Sequence, residues 1–357
     1  MRATRRSFCA PGLTTGFFFC CLASLLVATA AAGDLPDPDG KPADMTRPVQ
    51  VFIIMGQSNT LEMGKVQGGA GSLEHAVREK GLYPYLVDES GGWTTRQDVR
   101  NVSVMQKKGN MRVYRNDWLT VGGKKIGIEI GIGHYVGQAI DAPVMVLKSS
   151  IGNRSLGWDL LPPGSERYQV DGVTYAGYKD YPTAEVLPYE GWKYPGKPVP
   201  FYAGMQYDTD VANAKKILAE LANHYPDAKE YQVAGFFFWQ GDKDRYHSVH
   251  ANRYEQNLVR LIKALRKEFD APDAKFVCAT LGQTKKGAEG NDGKILSAQL
   301  AVDGETGKYP EFKGNVATVY TNPISMGGAS NGHYGGNAET YMNVGEAMGK
   351  AMVELLQ

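Results

Sequence analysis

The chain has 357 residues, and its 39 basic and 38 acidic residues leave a formal net charge of +1 at pH 7. No strong basic block interrupts this balance, so the sequence lacks the positive patch of a nucleic-acid-binding protein, and no nucleic-acid partner is predicted. Residues 48–357 are numerous enough to form one large α/β domain without disulfides.

The N-terminus has the pattern of an export signal. Basic residues, among them Arg5 and Arg6, precede an apolar run from Phe17 to Ala32 that ends in small residues. This pattern is typical of a secretory signal peptide, here predicted over residues 1–32. The adjacent arginines fit twin-arginine export, and a general export signal stays open as the alternative. We therefore expect a periplasmic or extracellular protein that has no membrane contact after the signal is removed.

Cysteine and histidine usage argues against a disulfide framework and against a metal centre. Cys9, Cys20 and Cys21 fall within the predicted signal, and Cys278 remains alone in the rest of the chain. The histidines show none of the clustered spacing of a zinc site. Neither a metal nor another cofactor is predicted.

Apolar runs alternate with amphipathic stretches after a Pro-, Asp- and Gly-rich lead-in, which is predicted to be flexible over residues 33–47. The apolar runs predict buried strands and the amphipathic stretches predict helices. Strands are expected at 49–55, 142–148, 231–239, 274–281 and 316–320, and helices at 128–140, 207–224, 251–269 and 338–356. The alternation predicts a single α/β domain over residues 48–357, with a parallel central sheet and helices on both faces.

Two stretches depart from this alternation. Residues 99–106 and 112–121 predict a β-hairpin around a Gly109-Asn110 turn. Residues 153–204 form a long insertion rich in Pro, Gly and aromatic residues, and a loop of that length in a compact domain is usually functional. Most of its aromatic residues are expected to pack the insertion onto the sheet, whereas Trp158 and Trp192 are the candidates for contact with a sugar.

Ser58 is the first candidate for chemistry. It follows the first predicted strand in the turn Gly56-Gln57-Ser58-Asn59. Ligands of parallel sheets bind at the carboxyl ends of the strands, so the Ser58 hydroxyl is expected there, near backbone N–H groups that could stabilise an oxyanion. The alternative is that Ser58 only caps a helix.

Three further strand ends or loops add polar residues at the same edge. Gly152-Asn153 follows the second predicted strand, and Gly152 permits close backbone approach. Gln240-Gly241-Asp242 follows the third strand, with Asp244 two residues later. His333 lies on a Gly-rich loop just before the last helix, where a core position is not expected.

The order and context of these blocks resemble the sialate O-acetylesterase-type branch of the SGNH hydrolases, also grouped as carbohydrate esterase family six. The G-Q-S-N block is matched by Gly56 to Asn59, and a G-P-E-I-G-F block is matched loosely by Gly127 to Ile132. A third block, W-x-Q-G-E or H-Q-G-E, is matched by Trp239 to Asp242, and the last block, a histidine just before the C-terminal helix, is matched by His333. This resemblance implies a flavodoxin-like three-layer α/β/α sandwich, the SGNH hydrolase fold.

The resemblance also implies roles for individual residues. It implies that Ser58 is the nucleophile and that His333 is the general base. The implied oxyanion hole consists of the backbone N–H groups of Ser58 and Gly152 and the side-chain amide of Gln240, a role that Asn153 could share.

One position departs from the family pattern. Many SGNH enzymes have an aspartate three residues before the histidine, and Ser330 occupies that position here. The orienting acid is therefore assigned to Asp242, which occupies the glutamate position of the third block, with Asp244 in reserve. The alternative is that Asp242 only holds its own turn or a neighbouring basic residue.

The predicted function is that of an exported serine esterase that removes O-acetyl groups from carbohydrate through an acyl-enzyme. One alternative is a catalytically inactive carbohydrate-binding protein on an esterase scaffold, favoured by the missing aspartate. Another is a lipid or thioester hydrolase of the wider SGNH group. The sequence selects neither a particular acylated glycan nor an oligomeric state.

Overall fold

The computed structural model describes residues 42–183, 186–187 and 200–357. The predicted signal peptide over 1–32, most of the predicted lead-in over 33–47, and Trp192 lie outside these residues. Within the described ranges, no helix has the length and apolar character needed to cross a membrane.

Twelve strands and six helices are named in chain order. The strands are β1 (Val49–Gly56), β2 (Gly64–Lys65), β3 (Thr95–Lys107), β4 (Asn110–Thr120), β5 (Lys125–Ile126), β6 (Val144–Ser149), β7 (Tyr168–Val170), β8 (Val173–Tyr175), β9 (Val186–Leu187), β10 (Tyr231–Trp239), β11 (Lys275–Ala279) and β12 (Val316–Val319). The helices are α1 (Glu129–Ala139), α2 (Met205–Ala219), α3 (Leu221–His224), α4 (Ser248–Glu268), α5 (Gly290–Ala301) and α6 (Ala338–Leu356).

A seven-stranded sheet lies at the centre, in the order β12-β11-β10-β1-β6-β3-β4. All neighbours pair in parallel except β4, which pairs antiparallel with β3 at one edge. The five predicted strands are β1, β6, β10, β11 and β12. When they are numbered 1 to 5 along the chain, their order across the sheet is 2-1-3-4-5. That is the flavodoxin-like order, so the predicted fold is confirmed, and β3 extends the sheet beyond β6.

Burial on both faces explains why β1 has an almost unbroken apolar sequence. Val51, Ile53 and Met55 belong to the core on one face, whereas Phe52 and Ile54 belong to the core on the other. Successive side chains of a strand point to opposite faces, so a strand covered on both sides needs apolar residues at nearly every position.

Helices cover both faces of the sheet. Residues of α2, α4 and α5 pack in one core, and residues of α1 and α6 pack in the other. Helix α5 was not predicted, because the residues around its start, Gly287 to Gly293, are rich in glycine and polar residues and have the composition of a loop. The predicted helix over 207–224 is divided into α2 and α3 by a break at Glu220.

The hairpin predicted around Gly109 is confirmed as β3–β4, with its turn at Lys108–Gly109. Because β3 is parallel to β6 and runs past it, the hairpin tip extends beyond the carboxyl end of β6. The long insertion contributes the separate three-stranded sheet β7-β8-β9. This small sheet packs against the start of α4, where Arg253 lies 4.2 Å from the centre of the Tyr168 ring.

Helices α1 and α6 approach each other closely through glycines. A Cβ atom placed on Gly345 would lie 2.5 Å from the carbonyl oxygen of Ile128, and one on Gly131 would lie 2.5 Å from the backbone nitrogen of Glu346. Contacts this short leave no room for a methyl group, so the glycines set the distance between the two helices.

Replacing Gly345 with alanine is therefore expected to destabilise the protein. Overpacking should lower the free energy of unfolding by about 1–3 kcal/mol, although alanine improves helix propensity by about 1 kcal/mol. Urea denaturation measures the change. The control is Gly69→Ala, where an added Cβ meets nothing within 4 Å. A Gly345→Ala protein as stable as the wild type would contradict the argument.

Candidate active site

The candidate site lies where the carboxyl ends of β6, β1 and β10 meet. Strand β1 pairs with β10 on one side and with β6 on the other, and all three are parallel. The chain builds β3, β4 and β6 on one side of β1 and then crosses to β10 on the other side, so the strand order reverses here. Open α/β sheets bind ligands at such a switch point. The residues predicted for chemistry follow these three strands or lie on the turn before α6.

The turn after β1 places Ser58 beside the end of β10. Gly56 has a left-handed φ of +148°, and a Cβ there would lie 2.5 Å from the carbonyl oxygen of Trp239, so no side chain fits. A short 3-10 helix, Ser58–Thr60, follows at once, and Thr60 Oγ1 donates to the carbonyl of Gln57 over 2.7 Å. Ser58 is buried except for 9% of its surface, so the turn holds it firmly at the strand end.

The loop after β6 lies directly against Ser58. A Cβ placed on Gly152 would be only 3.4 Å from the Ser58 Cβ, so the backbone at Gly152 borders the serine side chain. Asn153 is exposed and has a left-handed φ of 58°. The predicted oxyanion roles of the Ser58 and Gly152 N–H groups and of Asn153 stay predictions that fit this placement.

The Gln240 amide joins three parts of the site. Its Nε2 lies 3.1 Å from Gln57 Oε1, 2.9 Å from the Arg154 carbonyl oxygen and 2.6 Å from Asp244 Oδ2. Its Oε1 accepts from the Tyr254 hydroxyl over 2.8 Å. An amide has two N–H hydrogens, and protein acceptors already use both. These contacts do not fit the predicted oxyanion role; they make Gln240 the residue that positions its neighbours.

The predicted reserve acid, Asp244, is bound to the insertion. Its carboxylate accepts from the backbone N–H groups of Leu156 and Gly157, each over 2.8 Å. Burial raises the pKa of the Asp244 carboxyl to about 6. Because both oxygens are engaged, these contacts favour a structural role: Asp244 fixes the start of the insertion to the end of β10.

Asp242 meets Ser330, the serine that stands where many SGNH enzymes have an aspartate. The Ser330 hydroxyl donates to Asp242 Oδ1, and Arg245 Nε donates to the same oxygen over 3.0 Å. Arg245 also binds Asp292 over 3.0 Å. The structure therefore brings the carboxylate assigned as the acid into contact with the residue at the position of the missing aspartate, and it also places a basic residue on that carboxylate.

The turn that carries His333 has left-handed backbone and lies beside the Ser58–Thr60 turn. His333 and Tyr334 have φ values of 51° and 53°, a conformation that non-glycine residues adopt at a cost and that clusters at functional sites. Tyr334 secures the turn: its ring stacks on Trp239 with centroids 5.5 Å apart, and its hydroxyl accepts from the Gly282 N–H over 3.1 Å.

Trp158 is not available to a sugar, so its predicted role in substrate contact is wrong. Only 2% of its surface is exposed, and it forms a small core inside the insertion with Leu161, Ala176 and Ala203. Composition marks the insertion as aromatic but does not tell which rings face solvent. The other candidate, Trp192, lies outside the described residues.

Several polar residues near the site have structural roles. Glu129, in the second block of the resemblance, forms a buried ion pair with Lys148 over 2.6 Å and accepts from the Gly127 N–H. His250 is buried and stacks on His247 with centroids 4.3 Å apart, and burial lowers its pKa to about 3. In the part of the chain that the structure describes, no group of three His, Cys, Asp or Glu residues could hold a metal ion.

Three solved structures are similar to the chain at low identity. They are a protein from Arabidopsis thaliana (17% identity, 86% of this chain and 98% of that chain, TM-score 0.46), a carbohydrate acetylesterase from Xanthomonas citri (9%, 85% and 55%, TM-score 0.47), and NanS (12%, 68% and 69%, TM-score 0.35). No residue role follows from likenesses at this level. No curated protein sequence matches the chain significantly.

A family profile described as "Carbohydrate esterase, sialic acid-specific acetylesterase" matches residues 194–354. This region, a little under half of the chain, contains Gln240, Asp242 and His333 but neither Ser58 nor Gly152. The matched region starts within the insertion and ends within α6. Over residues 194–354 the chain is thus similar to the sialic acid-specific acetylesterase family of carbohydrate esterases.

Proposed function

We propose that the protein is an exported serine esterase that removes O-acetyl groups from carbohydrate. The observation that carries this proposal is the meeting of the Ser58 turn and the His333 turn at the end of β1. A nucleophile and a base on adjacent turns, with backbone N–H groups beside the nucleophile, are the parts that acyl transfer requires. The match to a carbohydrate esterase family supports the class of substrate.

In the proposed reaction, Ser58 Oγ attacks the ester carbonyl carbon while His333 takes its proton. The oxyanion of the tetrahedral intermediate is stabilised by the backbone N–H groups of Ser58 and Gly152 and by the Asn153 side chain. Collapse breaks the bond to the sugar oxygen, which leaves with the proton from His333. Water then attacks the acetyl-enzyme, with His333 again as base, and acetate is released.

Asp242 is proposed to orient His333. In a triad the acid holds the imidazole in the correct tautomer and stabilises its protonated form, and it acts by geometry rather than by its place in the sequence. The hydrogen bond from Ser330 supports this assignment, because Ser330 belongs to the turn that carries His333.

Gln240 is proposed to position the site rather than to touch the substrate. The buried Gln240 amide has four hydrogen-bond partners, three acceptors and one donor. Such an amide is rigid, because each partner restricts its position. Through Gln57 it holds the nucleophile turn, and through the Arg154 carbonyl it holds the loop that carries Gly152.

Replacing Ser58 with alanine is expected to abolish catalysis without unfolding the protein. Acetate release from small acetyl esters and from acetylated glycans should fall by about 10³-fold or more, because the covalent route is lost. The matched control is Ser297→Ala, an exposed serine on α5, which should retain wild-type rates. Near wild-type hydrolysis by Ser58→Ala would reject the mechanism.

Labelling with an organophosphonate separates the proposed enzyme from an inactive carbohydrate-binding protein. The wild type should become covalently modified at Ser58, as peptide mass spectrometry would show, because the reagent needs an activated serine. A protein that binds acetylated glycans but is not labelled at Ser58 would support the binding protein instead.

Exchanging Asp242 and Ser330 tests the assigned acid. The single variant Asp242→Ser should lower kcat by about 10²- to 10⁴-fold, the range for loss of a triad acid. The double variant Asp242→Ser/Ser330→Asp puts a carboxylate on the turn that carries His333. Its kcat should be at least about tenfold higher than that of Asp242→Ser. Steady-state kinetics with one acetyl ester measures both.

The variant Arg245→Gln distinguishes two roles of Asp242: orienting His333, or only binding Arg245. It keeps the Asp242 carboxylate and removes its basic partner, so a catalytic acid predicts that most of kcat remains. If Arg245→Gln is as impaired as Asp242→Ser, and the exchange recovers nothing, Asp242 has only a structural role.

A further inference from the structure

A cleft of about 360 Å³ opens beside the loop that carries Gly152. Its walls come from the tip of the β3–β4 hairpin, the segment after β6, the end of the insertion and the first turns of α2. The volume lies in the lower part of the range of about 300–1,000 Å³ for small-molecule sites. None of Ser58, His333 and Asp242 lines it, so the cleft is separate from the reacting groups.

The cleft and the nucleophile share one segment of chain. Ile151 and Arg154 line the cleft, while a Cβ placed on Gly152 between them would lie 3.4 Å from the Ser58 Cβ. The cleft therefore begins next to the position that an ester carbonyl would take at Ser58 and Gly152.

One side of the cleft is polar and already ordered. Arg154 Nε donates to Gln206 Oε1 over 3.2 Å and lies 3.8 Å from Asp159 Oδ1. Gln206 in turn donates to the buried Asp210 over 2.6 Å. Side chains that hold one another in this way can meet hydroxyl groups without first losing conformational freedom, which favours binding.

The cleft lining also includes apolar and aromatic side chains. Ile151, Phe201, Tyr202 and Met205 all line the cleft. Tyr202 is fixed by a hydrogen bond of 2.8 Å from its hydroxyl to Asp208 Oδ2. These side chains suit the C–H face of a sugar ring, while Arg154, Asp159 and Gln206 suit its hydroxyl groups.

We propose that this cleft binds the sugar that carries the ester, leaving the acetyl group at Ser58. The inference rests on the proposed esterase function and adds the site that recognises the leaving alcohol. A fatty acyl chain is disfavoured as the occupant, because it would bury Arg154, Asp159 and Gln206 against hydrocarbon.

Filling the cleft tests the proposal. Thr209 is half-buried on α2 and lines the cleft, so Thr209→Trp should exclude a sugar ring and leave Ser58 untouched. The substrates are ethyl acetate, whose alcohol is too small to need the cleft, and mono-O-acetylated methyl glycosides of glucose, xylose and sialic acid. The matched control is Ala212→Trp, an exposed position one turn further along α2.

For the glycoside that the wild type turns over fastest, Thr209→Trp should lower kcat/KM by about tenfold or more, mainly through KM. Ethyl acetate hydrolysis should stay within about twofold of the wild type, and Ala212→Trp should change neither substrate. Equal losses on both substrates, or no loss on the glycoside, would overturn the proposal. Met205→Trp replaces Thr209→Trp if the latter does not fold.

A binding measurement separates failure of this inference from failure of the esterase function. Saturation-transfer NMR would report binding of the free methyl glycosides to the Ser58→Ala protein and its loss in Ser58→Ala/Thr209→Trp. Binding that Thr209→Trp removes supports the cleft even if no acetate is released. Absence of binding, or binding that Thr209→Trp leaves intact, counts against the cleft whatever the catalytic result.

Discussion

The buried amide of Gln240 is the interaction on which the arrangement of the candidate site depends. One side chain reaches the turn that carries Ser58, the loop that carries Gly152 and the carboxylate of Asp244. When one partner of a buried hydrogen bond is removed, the remaining group stays desolvated and unpaired. This lowers the stability of the protein by about 1–3 kcal/mol. The site elements that follow β1, β6 and β10 are therefore coupled through a network that resists small displacements.

The end of β10 holds the remaining parts through neighbouring residues. Trp239 supports the His333 turn through its stacked partner Tyr334, and Asp242 binds Ser330 on the same turn. These contacts compensate for the left-handed backbone at His333 and Tyr334, because strained backbone persists only where the surroundings fix it. Strand β10 is thus both the neighbour of β1 in the sheet and the support of the histidine.

The sequence was sufficient for the sheet and for the polar residues that follow its strands, but not for the contacts of those residues. The five predicted strands could be found because burial on both faces leaves an uninterrupted apolar run, as in β1. Helix α5 has no such signal, since glycines interrupt its start. The Asp242–Ser330 hydrogen bond joins positions 88 residues apart. Two of the four hydrogen-bond partners of the Gln240 amide, Gln57 and Arg154, are likewise distant in the sequence. The burial of Trp158 was missed for the same reason.

The β3–β4 hairpin places one wall of the cleft on the edge of the sheet, away from the strands that carry Ser58 and Gln240. Its tip residues at Lys108 and Gly109 follow β3, which pairs with β6 but not with β1 or β10. Loops at a sheet edge tolerate changes in length and sequence far better than buried strands do. Changes in this hairpin would therefore alter the shape of the cleft while the buried strands that carry Ser58 and Gln240 stay as they are.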